Sequence, residues 1–250
     1  MRYRVIVIAL LGLALATPAR AQLTTHSTSA AGTMLAAATL LDVTAAPLYV
    51  RLIGTTLYFG EARSFSAGNG FLYQVSGSTD VIIDGAVNTV RPGEAIFISG
   101  GKNFVLKAEP GEPSTYLRFL LSPAAYLDLP DLSLATGREI FRSKSPIPGL
   151  KRGSYNLSLT RVTLPHQTPS DPPHHRSGAA LHFVLSGAGA ETVSGTTIAK
   201  GSGSFSYETA DLVYQWGNPG NGPLTYLVFN LSPEDEHPVV PGAEPSENQQ

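Results

Sequence analysis

No cysteine occurs among the 250 residues, so the chain has no disulfide framework, no thiol for lipid attachment and no redox Cys pair. A fold built on it must be held by its core alone. Charge is scarce as well: only 14% of residues are Asp, Glu, Lys or Arg. No basic stripe is present to neutralise phosphates, and nucleic acid is therefore not an expected partner. No segment carries a sustained helical period. Gly-rich phosphate loops are absent, and Gly201-Ser202-Gly203-Ser204 has the wrong spacing for a nucleophile elbow. Apolar runs are short too. The longest, Val5 to Ala16, falls below the roughly 20 residues that a membrane span needs.

That run has another meaning. Arg2 and Arg4 precede it, and Pro18 and the small-residue pattern Ala19-Arg20-Ala21 follow it. A basic start, a short apolar middle and an Ala-x-Ala ending predict a cleavable secretory signal over residues 1–21, hence a bacterial protein exported to the periplasm or beyond. Cleavage would leave 229 residues with 14 basic and 19 acidic side chains, a balance of −5, and no membrane span.

What the chain has in abundance is Gly (25) and Pro (19), the profile of short strands joined by many turns. It also contains itself twice. Thr115-Tyr116-Leu117-Arg118-Phe119-Leu120-Leu121-Ser122-Pro123 returns as Thr225-Tyr226-Leu227-Val228-Phe229-Asn230-Leu231-Ser232-Pro233, identical at seven of nine positions and displaced by 110. The same displacement carries Ser76-Gly77 onto Ser186-Gly187, Gly85 onto Gly195 and Gly93 onto Gly203. A unit this long is a whole domain, because solenoid repeats run only about 20 to 50 residues.

The copies divide the chain into an N-terminal arm (22–46) able to add a strand to a barrel, a first repeat (47–123), a connector (124–153), a second repeat (154–233) and a disordered acidic tail (234–250). Within the connector a helical turn or two is expected around Arg138 to Arg142. Within each repeat the signal is β. Leu117, Phe119 and Leu121 alternate with their neighbours, as do Leu227, Phe229 and Leu231, which turns one side of each strand into a core. Asp84-Gly85 and Ser194-Gly195 stand where hairpins would reverse the chain. The chain is predicted to be all-β.

With the turns placed, the pattern resembles the cupin superfamily, jelly-roll type β-barrels, here in tandem as a bicupin with an N-terminal arm and a short helical or irregular connector. The second copy carries the resemblance in Pro172-Pro173-His174-His175-Arg176-Ser177-Gly178 and the strand to Gly187. The first carries it in Arg91-Pro92-Gly93-Glu94-Ala95-Ile96-Phe97-Ile98. The resemblance implies a site in which His-x-His, a Glu and a later His hold Fe, Mn, Ni or Zn. Those ligand positions fall on His174, Arg176, Ala180 and Tyr214 in the second copy, and on Ser64, Ser66, Gly70 and Phe104 in the first. One of eight is retained, and a guanidinium repels a cation and does not deprotonate.

The resemblance therefore implies a scaffold and a pocket with degenerate metal motifs, and no metal cofactor is expected. His174, Arg176, His182, Tyr214 and Trp216 are expected to line the second barrel. Leu72, Phe104 and Leu106 make the corresponding lumen of the first barrel a packed core. Two readings of the histidines stay open: a rearranged metal site from His174, His175 and His182, or turn and pocket imidazoles satisfied by hydrogen bonds. Arg176 either holds an anion or reaches the rim, and Trp216 either stacks on a ligand or is core. The leading expectation is an exported bicupin that binds a small polar or anionic molecule without a transition metal. The alternatives are a metal-dependent dioxygenase, isomerase or hydrolase, and a structural or assembly protein, with a homodimer possible under each.

Overall fold

The structure, a computed structural model, describes residues 30–43, 46–66, 68–127 and 137–242. The expected signal segment and the far end of the tail lie outside the described residues. Along the first half run β1 (Ala31–Val43), β2 (Leu48–Leu57), β3 (Ala62–Ser66), β4 (Asn69–Ser76), β5 (Thr79–Ile83), β6 (Ala86–Val90), β7 (Ala95–Ile98), β8 (Asn103–Ala108) and β9 (Ser114–Pro123). A 3-10 turn at Ala124–Tyr126 and β10 (Gly137–Arg142) lead to the second half. There follow β11 (Gly153–Leu164), β12 (His174–Arg176), β13 (Ala179–Ser186), β14 (Ala188–Val193), β15 (Thr196–Gly201), β16 (Phe205–Thr209), β17 (Tyr214–Gly217), β18 (Leu224–Pro233) and β19 (Val239–Pro241).

Four antiparallel sheets result, two to a barrel. In the first barrel, β10-β2-β9-β4-β7 faces β3-β8-β5-β6; in the second, β1-β11-β18-β13-β16 faces β15-β14-β17-β12-β19. The 110-residue displacement survives in three dimensions down to a bulge, which lies between Gln74 and Ser76 in one copy and between Val184 and Ser186 in the other. Both expected hairpin turns are present. Asp84 and Gly85, like Ser194 and Gly195, have positive φ, the two-residue turn whose twist matches that of its strands.

The edge strands are exchanged. β1 precedes the first barrel yet pairs with β11 of the second, while β10 precedes the second barrel and pairs with β2 of the first. The expected helical turns at Arg138–Arg142 are thus a strand. A six-residue helix is marginal in water, whereas the open edge of β2 offers each backbone group a partner. Arg51 on β2 fastens β10 through Glu139, Nε to Oε2 at 2.8 Å. The expected disorder of the tail is also corrected in part. Residues 239–241 form β19, which adds to the edge of β12 in the register His174↔Pro241 and Arg176↔Val239.

Strand alternation divides the interior into three cores. Leu117, Phe119 and Leu121 pack with Leu227, Phe229 and Leu231 between the sheet of β9 and the sheet of β18, so this face joins one barrel to the other. Phe229 meets Phe71 edge-on, with ring centroids 6.0 Å apart, and Phe119 at 5.7 Å. The opposite face of each sheet looks into its own barrel. In the first barrel that lumen is closed by Leu72, Val81, Ile98, Phe104 and Leu106, all buried, as the sequence predicts.

Candidate functional site

The second lumen is built on the same strands with different chemistry. Displacement by 110 replaces Leu72 with His182, Val81 with Glu191, Ile98 with Glu208, Leu106 with Trp216 and Leu120 with Asn230. All five replacements are buried, Glu208 completely. Three of them, His182, Trp216 and Asn230, line a cavity of about 310 Å³ together with His174, Arg176 and Tyr226. Exposed Met34 of the swapped strand β1 and Val239 of β19 also line it, and these two set its mouth.

Register explains how the side chains meet. On β13, Ala180 pairs with Glu208 of β16 on one side and with Asn230 of β18 on the other. The small Ala180 side chain stands between that carboxylate and that amide in the register. His182 lies two residues along on the same face, and His174 and Arg176 enter from β12 in the opposite sheet.

Glu208 is the hub. Its Oε2 accepts from Arg176 Nε at 2.5 Å and its Oε1 accepts from the indole Nε1 of Trp216 at 2.9 Å. His182 Nε2 lies 3.3 Å from Oε2 and His174 Nε2 lies 4.0 Å from it. Burial alone would raise the pKa of this carboxyl. His182 and Arg176 beside it outweigh burial and hold it well below the usual carboxylate range. Arg176 is the nearer of the two and is charged at every accessible pH, so Glu208 is an anion matched by a guanidinium.

Arg176 Nη2 lies 3.0 Å from His182 Nε2, the ring nitrogen that also faces Glu208 Oε2, while His182 Nδ1 is buried without a hydrogen-bond partner. The His182 ring is fixed by stacking on Trp216 and Tyr226, at centroid distances of 4.9 and 5.4 Å with planes inclined 15° and 17°. His174 Nδ1 donates to the carbonyl of Pro172 at 3.2 Å. Its Nε2 is buried without a hydrogen-bond partner, as is the Asn230 Oδ1, and both side chains belong to the cavity lining. At the rim, Asp171 Oδ1 accepts the Trp216 backbone N–H at 2.6 Å. Burial raises the Asp171 pKa against the lowering by that hydrogen bond.

Of the side chains expected at the site, His174, Arg176, His182 and Trp216 come together, while Tyr214 does not line the cavity. Tyr214 is buried on the same face of β17 as Trp216, but its hydroxyl is used by the backbone. It accepts from Thr209 N–H at 3.1 Å and donates to the Tyr207 carbonyl. His175 is corrected likewise. Alternation along β12 turns it away from His174, and its Nδ1 meets the Arg176 carbonyl at 3.3 Å. The sequence reading missed Glu208, Asp171, Tyr226 and Asn230. Glu208 and Asn230 were detectable, because each replaces an aliphatic residue of the first copy.

These residues do not fit a metal ion as they stand. A divalent ion would need Glu208 Oε2 and His182 Nε2, and the Arg176 guanidinium already stands against both. Among the described residues no three His, Cys, Asp or Glu side chains converge as ligands.

Residues 160–230 match the Cupin domain family, Cupin_2. No curated protein matches the sequence. The fold is similar to oxalate decarboxylase from Bacillus subtilis, in a structure concerned with its Mn(II) centers. There the identity is 13% over 84% of this chain and 78% of that one, with a TM-score of 0.54. It is also similar to the salicylate 1,2-dioxygenase of Pseudoaminobacter salicylatoxidans in complex with gentisate, at 12% identity over 74% and 69% of the two chains and a TM-score of 0.52. The repeated strand order, the paired turns and the match over the second barrel agree: residues 160–230 carry a Cupin domain, and the fold is two jelly-roll barrels in tandem.

Proposed function

We propose that this chain is an exported protein whose second barrel binds a small, uncharged molecule rich in hydrogen-bond donors. The observation that carries this reading is His174 Nε2, buried without a hydrogen-bond partner on a side chain that lines the cavity. Leaving such an acceptor unmade costs about 1–3 kcal/mol, which a donor from a ligand recovers. Asn230 Oδ1 asks for a second donor, and Trp216 and Tyr226 supply a flat apolar wall. A volume near 310 Å³ suits a molecule at the small end of the usual ligand range. Export rests on the basic, apolar and Ala-x-Ala order of residues 1–21.

An anionic ligand is less well supported than the sequence alone suggests. Arg176 was the residue to hold it, and its charge is matched by Glu208. The metal-dependent reading draws on the Mn(II) centers and the dioxygenase activity named for the similar structures, and the donor set described above argues against it.

Trp216 is the only tryptophan and lines the cavity, so its fluorescence reports occupancy directly. Polyols, monosaccharides and hydroxylated amides are expected to shift the emission and raise the melting temperature, while small carboxylates are not. His174→Ala should weaken the response by about tenfold, the value of one hydrogen bond at the upper end of its range. A response confined to carboxylates, or one indifferent to His174→Ala, would overturn the proposal.

A further inference from the structure

The two lips of the second cavity are held very differently. Met34 stands on β1, which pairs along β11 and packs Leu35, Ala36 and Leu40 against the core between the barrels. Pro238 and Val239 form the other lip, at the start of β19, an edge strand whose one neighbour is the three-residue β12. We propose that β19 is a displaceable strap, which swings about His237 to open and close the cavity while β1 stays in place. No ligand is needed for it, so it stands apart from the ligand reading above.

Few bonds hold the strap. The register pairs His175 with Val240, and on either side Ser177 N–H donates to the Pro238 carbonyl at a long 3.5 Å and Gly242 N–H to the Pro173 carbonyl at 2.8 Å. Both flanking pairs are half-made, because neither Pro238 nor Pro173 has an N–H to return. Packing adds little, since among the described residues no side chain beyond Ser232 is buried. The root of the strap is fixed by contrast. Glu234 N–H donates to the Ser154 carbonyl at 3.0 Å and Glu236 N–H to the Pro233 carbonyl at 3.2 Å, which leaves exposed His237 as the joint.

The groups behind the strap gain from water. Register sets Val239 beside Arg176, and Arg176, His174 and Trp216, which share the cavity lining with Val239, are all buried. Water entering the cavity would serve the unpartnered His174 Nε2 and Asn230 Oδ1, so opening exchanges a weak ladder for hydration of polar groups. Segments held in this way open locally, without global unfolding. The strap is also confined to the barrel with a polar lumen. The 110-residue displacement carries β12 onto β3, and among the described residues β3 ends its sheet with no strand outside it.

Hydrogen exchange on the intact protein tests the mobility. The Val240 and Gly242 amides are expected to exchange at least a hundredfold faster than those of Phe229 and His182, and equal protection would overturn the proposal. Access is tested with a disulfide. The chain has no cysteine, so His175→Cys with Val240→Cys introduces a single pair, at a register position where neither side chain lines the cavity. The Cα spacing of such a position, about 5.5 Å, suits a bridge. Acrylamide quenching of Trp216, the sole tryptophan, is then compared in the oxidised and reduced forms. Oxidation should lower the quenching constant at least threefold and reduction restore it, while a chain ending at Glu236 should be quenched more than native. Quenching unchanged by a disulfide verified by mass spectrometry would sink the strap, as would a shortened, folded chain whose Trp216 is no more accessible than native.

Discussion

Glu208 and Arg176 are best understood as one unit. Two buried charges attract strongly, yet each has lost its water, and the net contribution of such a pair to stability is small. Removing one member is another matter. Arg176→Ala is expected to cost about 3–5 kcal/mol by urea unfolding, because an unmatched carboxylate remains. The double change Arg176→Met with Glu208→Leu should come out near neutral. The depressed pKa of Glu208 fixes the sign of the pH dependence. Its folded value lies below its unfolded one, so its stabilising share is complete above the unfolded value. That share is lost as pH falls through the ordinary glutamate range toward the folded value. Between pH 6 and pH 3, the native protein should lose melting temperature more steeply than Glu208→Gln, which has no such share to lose.

At the scale of elements, the exchanged strands and the tight turns do most to define the site. Met34 reaches the cavity mouth only because β1 crosses to the second barrel, and Val239 only because β19 pairs with β12. A chain truncated before residue 44 would bare the edge of β11, an open ladder ready to pair with another chain. Such a truncation should show a larger mass by light scattering than the full protein at the same concentration. The turns separate strain from space. Gly187 (φ 84°) sits so that a Cβ would lie 2.2 Å from the Pro223 carbonyl oxygen, whereas Gly195 (φ 83°) has nothing within 4 Å. Gly195→Ala should cost about 1 kcal/mol of backbone strain, and Gly187→Ala clearly more, since backbone must also move.

At the scale of the whole molecule, the barrels are held together by a continuous apolar core and by each other's edge strands. That core is the face of β9 and β18 bearing Leu117, Phe119, Leu227 and Phe229, so neither barrel buries this surface alone. Calorimetry should therefore record a single unfolding transition. Phe229→Ala, about 3–5 kcal/mol at a site this buried, should lower that transition as a whole and not split off one barrel.

The sequence by itself determined the architecture: two copies, all-β, with hairpins at Asp84-Gly85 and Ser194-Gly195. Alternation and turn chemistry are local, and the 110-residue displacement lets each copy check the other. It also singled out which barrel holds the polar lumen, and named His174, Arg176, His182 and Trp216. Partnership was decided only in three dimensions. Whether Leu117 and Phe119 faced a barrel lumen or the neighbouring barrel, and which barrel β1 and β10 would join, depended on sheet edges far away in sequence. The same holds at the site, where Glu208 and Arg176 are 32 residues apart and meet because β16 and β12 lie in opposing sheets. Alternation tells a side chain which face it occupies; only the packing of one sheet on another tells it what it will touch.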